Sequence, residues 1–99
     1  DDIVRAILLS LEKGMGQGVI QIGPDKSETI ADIANKLVKI SGKNIDIKFD
    51  LSKPEGDFDR TANYTKAKNI IGWEPIIDID TGLLKTYEWA LKYLLNKNN

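Results

Sequence analysis

Apolar residues along this chain recur at two different periods. From Ile3 to Lys13, Ile3, Ala6, Ile7 and Leu11 fall three or four residues apart, and Leu8 and Leu9 broaden the face. That spacing predicts a helix with one buried side. Asp1 or Asp2 is placed to cap it and to complement its positive end. Gly14-Met15-Gly16-Gln17-Gly18 ends it, because glycine accepts the left-handed geometry of a helix exit. Val19-Ile20-Gln21-Ile22 is short, β-branched and bounded by glycine, which reads as a strand. Thr29 opens a second helix, with Asp32 three residues on in a capping-box-like arrangement. Ile30, Ile33, Ala34, Leu37 and Val38 form its stripe, and Ser41-Gly42 close it. Ile45, Ile47 and Phe49 alternate with Asp46 and Lys48, the period of a half-exposed strand. Residues 19–49 thus predict strand-helix-strand, a connection that favours parallel pairing and a right-handed crossover.

The remainder is punctuated by loops. Asp50 to Arg60 is an acidic, glycine-containing loop, and Asn63 or Thr65 can cap a short helix through Ile71. Gly72-Trp73-Glu74-Pro75 stops that helix, since Pro75 cannot sit inside one. A last helix is expected from Ile79 or Asp80 to Leu95, with Leu83, Leu84, Tyr87, Leu91 and Leu94 on one face and Trp89 and Tyr93 flanking it. Asn96–Asn99 is a polar tail expected to fray. The fold class expected from these elements is α/β: a small parallel strand pair packed with helices, in one domain over residues 1–99.

Composition narrows the chemistry. Ninety-nine residues suffice for one domain with a modest core. A net charge of −1 supplies no field for nucleic acid or an anionic membrane, so neither is expected as a partner. No apolar run is long enough to span a bilayer. No secretory leader is visible, and an opening Asp-Asp without Met reads as a cut in a longer chain. With no cysteine, disulfides are excluded and the reading is cytoplasmic. With no histidine, a Ser-His-Asp or Cys-His machine cannot be built, and no metal site is expected.

Several patterns invite a functional reading and fail it. Gly14-x-Gly16-x-Gly18 follows a helix and precedes a strand, the reverse of a dinucleotide loop. The turn from Gly23 to Thr29 has the right order, but Asp25 and Glu28 stand where a phosphate would go. Tyr64-x-x-x-Lys68 and Tyr93-x-x-x-Lys97 match the spacing of a phenol activated by a lysine one turn away. Nothing in the chain holds the nicotinamide such a pair would serve, so solvated helix lysines are expected. Glu55, Asp57 and Asp59 lack the glycine and the twelfth-position Glu of a calcium loop. A solvated acidic turn is expected for Asp59. Arg60 is the sharper candidate. It ends the loop just before a helix carrying Lys66 and Lys68, and its planar fork of donors suits a phosphate. Trp73 reads as a core anchor behind the loop.

In sequence order, four stretches resemble the C-terminal, substrate-binding part of the extended short-chain dehydrogenases, the NAD-dependent nucleotide-sugar epimerases and dehydratases. "DDIVRAILLSLEKG" resembles that family's Val-Asp-Asp helix. "GVIQIGPDKSETIADIANKLVKISGK" resembles its strand, Asn-Ile-Gly turn and helix, with Gln21 where Asn is usual. "KPEGDFDRTANYTKAKNIIGWEP" resembles its Pro-x-Gly loop, Arg and Ser-Lys-Ala helix, in an arrangement similar to GDP-mannose epimerases. "GLLKTYEWALKYL" resembles its closing helix. The resemblance implies the C-terminal lobe of such an enzyme with the Rossmann domain missing. In such enzymes NAD(P) sits in an N-terminal Rossmann domain and a nucleoside-diphosphate sugar in the cleft between domains. By that analogy Arg60 grips the diphosphate, and Asp57 and Glu55 lie near the nucleotide end. The Tyr-Lys catalytic helix and cofactor loop would lie upstream, so no catalytic residue and no cofactor are expected on this chain alone, which is then inactive. Its partners would be the nucleotide sugar and the Rossmann domain, with self-association through exposed apolar surface. Asn63 stands where the family commonly has Asp, which removes a possible salt bridge to the arginine. The alternative expectation is a non-enzymatic, stand-alone nucleotide-binding or protein-interaction module.

Overall fold

The computed structural model describes residues 1–97, and the expected fraying of Asn98 and Asn99 lies outside it. Among the described residues the secondary structure consists of four helices: α1 (Asp2–Lys13), α2 (Ile30–Ser41), α3 (Thr65–Ile71) and α4 (Ile79–Lys97). The expected α/β class is therefore corrected. No strand occurs among the described residues, and no parallel pair forms. The reason is that an extended segment becomes a strand only by exchanging backbone hydrogen bonds with a neighbour. Residues 19–22 and 45–49 belong to different compact units, Asp1–Ser27 with Glu55–Ile77 and Glu28–Pro54 with Asp78–Asn99, and neither finds a ladder partner within its own.

In the first unit, α1 packs on α3. Ala6, Ala67, Ile71 and Trp73 are fully buried, and Leu9, Ile20, Ile22, Tyr64 and Ile70 close around them. The alternation at 19–22 thus keeps its facing without its ladder: Ile20 and Ile22 turn toward the core, while Val19 is 91% exposed. The predicted α1 stripe is only partly right. Ala6 is buried, but Ile3, Ile7, Leu8 and Leu11 all face solvent with Val4. The helix instead turns Asp2, Ala6, Leu9 and Ser10 inward.

Trp73 is the keystone the sequence suggested. Its indole N–H donates to the Asp2 carbonyl at 2.9 Å, its ring meets Tyr64 edge-on at 6.1 Å, and the Arg5 guanidinium lies 5.8 Å over it. It is positioned by the end of α3, where Gly72 adopts φ +68° and the Trp73 N–H returns to the Ala67 carbonyl at 3.2 Å. That chain reversal needs a residue at ease in the left-handed region, and glycine supplies it. The Asp2 carboxylate then collects the N–H groups of Ile76 (3.1 Å) and Ile77 (2.9 Å) and a guanidinium N–H of Arg5 (3.1 Å). Asp2 therefore acts as a tether to the segment after α3 and Asp1 is the N-cap residue, although it makes no side-chain capping bond.

In the second unit, α2 packs on α4. Thr29 caps α2 as expected, its hydroxyl accepting the Asp32 N–H at 3.0 Å, and Gly42 closes it at φ +64°. Ile33, Ala34, Leu37 and Val38 are half-buried, whereas Ile30 is exposed. From α4, Leu83, Tyr87 and Ala90 are half-buried, and Leu84, Leu91 and Leu94 of the predicted stripe stay exposed. No described residue of this unit is fully buried. Asp78 immediately precedes α4, its carboxylate accepting the Thr81 N–H at 2.7 Å, and the helix runs two residues past the expected end.

Candidate functional site

The loop that carries the sequence candidates is open. Glu55, Asp57, Asp59 and Arg60 are all exposed. The Arg60 guanidinium reaches the Asp57 carboxylate at 3.3 Å, a pair in which the arginine side chain is 86% exposed. One carboxylate occupies a small part of a five-donor fork, so Arg60 keeps donors to offer. Glu55 makes no hydrogen bond or ion pair among the described residues. The structure brings Asp57 and Arg60 together, and does not bring Lys66 and Lys68 to them. Lys68 pairs with Glu74 at 3.4 Å, and the Lys66 ammonium donates to the carbonyls of Gln17 (2.7 Å) and Val19 (2.9 Å).

Those lysine bonds help shape a concavity of about 560 Å³ in the first unit. Val19 and Ile70 supply its apolar lining, and Gln21, Asn63, Thr65, Lys66 and Asn69 a polar rim. Arg60 is not among its lining residues. The rim is ordered by its own contacts. Gln21 Oε1 accepts the Asn63 N–H at 3.0 Å, and Asn63 Oδ1 accepts the Thr65 N–H at 3.0 Å, which starts α3. Beside it Gly23 is pressed by Ala62, whose methyl would lie 2.7 Å from an added Cβ, while the Ala62 N–H donates to the Pro24 carbonyl at 2.9 Å. Sequence reasoning passed over Gln21 and Asn69 because amides carry no charge pattern. Only their convergence in space marks them.

The other motifs resolve as structure. Around the Gly23–Thr29 turn, Glu28 pairs with Lys36 at 3.4 Å, and Lys36 also reaches Asp80 at 3.4 Å. Burial alone would lower the Lys36 pKa, but hydrogen bonds to Glu28 and Asp80 outweigh it and hold the ammonium above its ordinary value. Tyr64 packs on Trp73, and Tyr93 stacks on Trp89 at 5.6 Å with the Lys97 ammonium 5.9 Å from its ring. Tyr64 and Lys68 are not among the residues that line the concavity. No group of residues able to hold a metal occurs among the described residues, and no described helix is long and apolar enough to cross a membrane.

No family model matches the chain, and no solved structure matches it significantly. Curated relatives do. It is 28% identical to GDP-L-fucose synthase 1 of Arabidopsis thaliana over 97 residues, 98% of this chain and 30% of that protein. It is 35% identical to UDP-glucuronate 4-epimerase of Thermodesulfobacterium geofontis over 92 residues, 91% of this chain and 28% of the relative. UDP-glucuronic acid decarboxylase 5 of Arabidopsis thaliana matches at 30% over 92 residues, 92% of this chain and 27% of that protein. These homologues, at low identity, are members of the NAD-dependent nucleotide-sugar epimerase/dehydratase family. The chain spans less than a third of the length of these family members. Their names differ in base, sugar and reaction, and have the nucleoside-diphosphate sugar in common.

Proposed function

We propose that this chain is the C-terminal portion of such an enzyme and supplies one wall of the cleft that holds a nucleoside-diphosphate sugar. Arg60 contacts the diphosphate, with Asp57 and Glu55 toward the nucleotide. The NAD(P) site and the Tyr-Lys catalytic pair belong to an N-terminal Rossmann domain of the same parent protein, so the chain alone binds substrate and performs no hydride chemistry. The observation that carries this reading is the similarity, across nearly the whole chain, to enzymes whose names share a nucleoside-diphosphate sugar and not a reaction. The exposed guanidinium, held by one carboxylate only, fits the role assigned to it.

Among the described residues, Ile3, Val4, Ile7, Leu8 and Leu11 form a continuous outward face of α1. A patch of that kind favours association, and at high concentration the isolated chain should self-associate through it.

Titrating the 99-residue chain with UDP- and GDP-sugars should give weak binding, because one wall supplies only part of the contact. An Arg60→Ala change should weaken it by about tenfold or more, as expected for loss of charge-assisted hydrogen bonds worth roughly 1.5–3 kcal/mol. Raising the salt should weaken it further. Affinity unchanged in Arg60→Ala would remove the diphosphate role.

A further inference from the structure

Arg60 ends a run of chain with little to hold it. From Pro54 to Arg60 no backbone hydrogen bond is made among the described residues, and the 3.3 Å pair with Asp57 joins two exposed side chains of that same loop. Just beyond, the chain is fixed. The Ala62 N–H donates to the Pro24 carbonyl at 2.9 Å, the Asn63 N–H donates to Gln21 Oε1 at 3.0 Å, and Asn63 Oδ1 accepts the Thr65 N–H at 3.0 Å. Residues 21–24 thus clamp 62–63 against the start of α3. The clamp closes on Gly23, where an added Cβ would lie 2.7 Å from the Ala62 Cβ. Ordinary carbon contacts sit at roughly 3.5–4.0 Å. The Ala62 methyl is carried directly on its backbone and cannot swing aside, so a side chain at position 23 must displace the chain that leads to Arg60. Two residues of extended chain reach only about 7 Å, so the anchor at Ala62 decides where the Arg60 Cα stands. A guanidinium that meets phosphate oxygens through paired hydrogen bonds is sensitive to that placement.

We propose that Gln21 and Gly23 are positioning residues for Arg60: the amide oxygen at 21 and the absent side chain at 23 seat residues 62–63, and so set the point from which the guanidinium meets a diphosphate. The proposal rests on the diphosphate role given to Arg60 above. Neither residue carries charge, and both act by where they put the arginine.

The test is nuclear magnetic resonance titration of the 99-residue chain with uridine diphosphate and guanosine diphosphate, each to about 20 mM, a range that captures millimolar binding. Gly23→Ala should weaken binding about threefold to fivefold, less than the loss expected from Arg60→Ala. Adding Ala62→Gly removes the methyl that the new Cβ meets, and the double variant should return to within about twofold of the native affinity. Gln21→Met keeps the side-chain length without the acceptor, and should weaken binding by a similar factor without any clash. This second variant carries the test if Gly23→Ala does not fold, which the Trp73 signals report. In an Arg60→Ala background neither change should weaken binding further, because no guanidinium remains to be placed. A merely structural role would not cancel in this way. Native affinity in Gly23→Ala and Gln21→Met, beside a weakened Arg60→Ala, would overturn the positioning role and leave the diphosphate role standing. An equal further loss in the Arg60→Ala background would also overturn it, since the clamp would then act on the ligand without the arginine. Unchanged affinity in Arg60→Ala alone would remove the diphosphate role, and the positioning role with it.

Discussion

Replacing Trp73 by alanine should unfold the chain or leave it close to its midpoint at room temperature. The residue is 1% exposed and stands at the centre of the only fully buried cluster among the described residues. Truncating a buried tryptophan costs about 3–5 kcal/mol, from lost burial and the cavity left behind. A domain of this size has roughly 5–10 kcal/mol in total. The loss also removes the indole N–H bond to the Asp2 carbonyl and the surface on which Tyr64 and Arg5 rest. Urea denaturation followed by far-ultraviolet circular dichroism measures it. Trp89→Ala is the matched comparison. That indole is 66% exposed, and its removal should shift the midpoint little. Equal effects of the two changes would mean that the packing around Trp73 does not hold the fold.

Asp2→Ala should be the next most damaging change, at about 2–3 kcal/mol, because it strips two backbone N–H groups and one guanidinium of their acceptor. The same carboxylate makes stability depend on pH. Burial pushes its pKa up, but the Ile77 N–H, Arg5 and the Ile76 N–H favour the charged form and together hold it below the ordinary 3.8. A carboxyl whose pKa is depressed by folding stabilises the native state above its unfolded value, and that contribution is lost as pH falls through the folded value. Stability should therefore drop on acidification below about pH 4, and Asp2→Asn should flatten part of the drop. The remainder belongs to Asp50 and Asp78, which their bonds to Ser52 and Thr81 also depress. Stability curves of Asp2→Asn and the native chain that run parallel through acid would rule out this role.

How far the sequence could be read depended on whether its signals were local. Thr29, Gly42 and Gly72 act within one turn of helix, and each does what its chemistry requires. Trp73 was legible as an anchor because a large aromatic beside a helix-stopping Gly and Pro has little other use. The strand pair failed because alternation specifies which side chains face inward, as Ile20 and Ile22 do, but not that a neighbouring backbone will be present. The α1 stripe misled for a related reason. Ile3, Val4, Ile7, Leu8 and Leu11 make so broad an apolar arc that spacing alone could not show which edge the protein covers, and it covers the narrower one around Ala6. At the candidate site, Arg60 stood out in the sequence by its loop context and Asp57 by the family resemblance, and the structure adds the ion pair between them. The amide rim was not legible, since Gln21 and Asn63 lie 42 residues apart and meet only through the fold.

The unequal burial of the two units gives the chain a pair of built-in optical probes. Trp73, sealed in the first unit, should emit at short wavelength and be shielded from iodide or acrylamide, whereas Trp89, on the outer side of α4, should emit toward the red and be quenched readily. Single-tryptophan variants would let each half of the molecule be watched separately as denaturant rises. A loosening confined to α2 and α4 would then register in one emission band before the other moved.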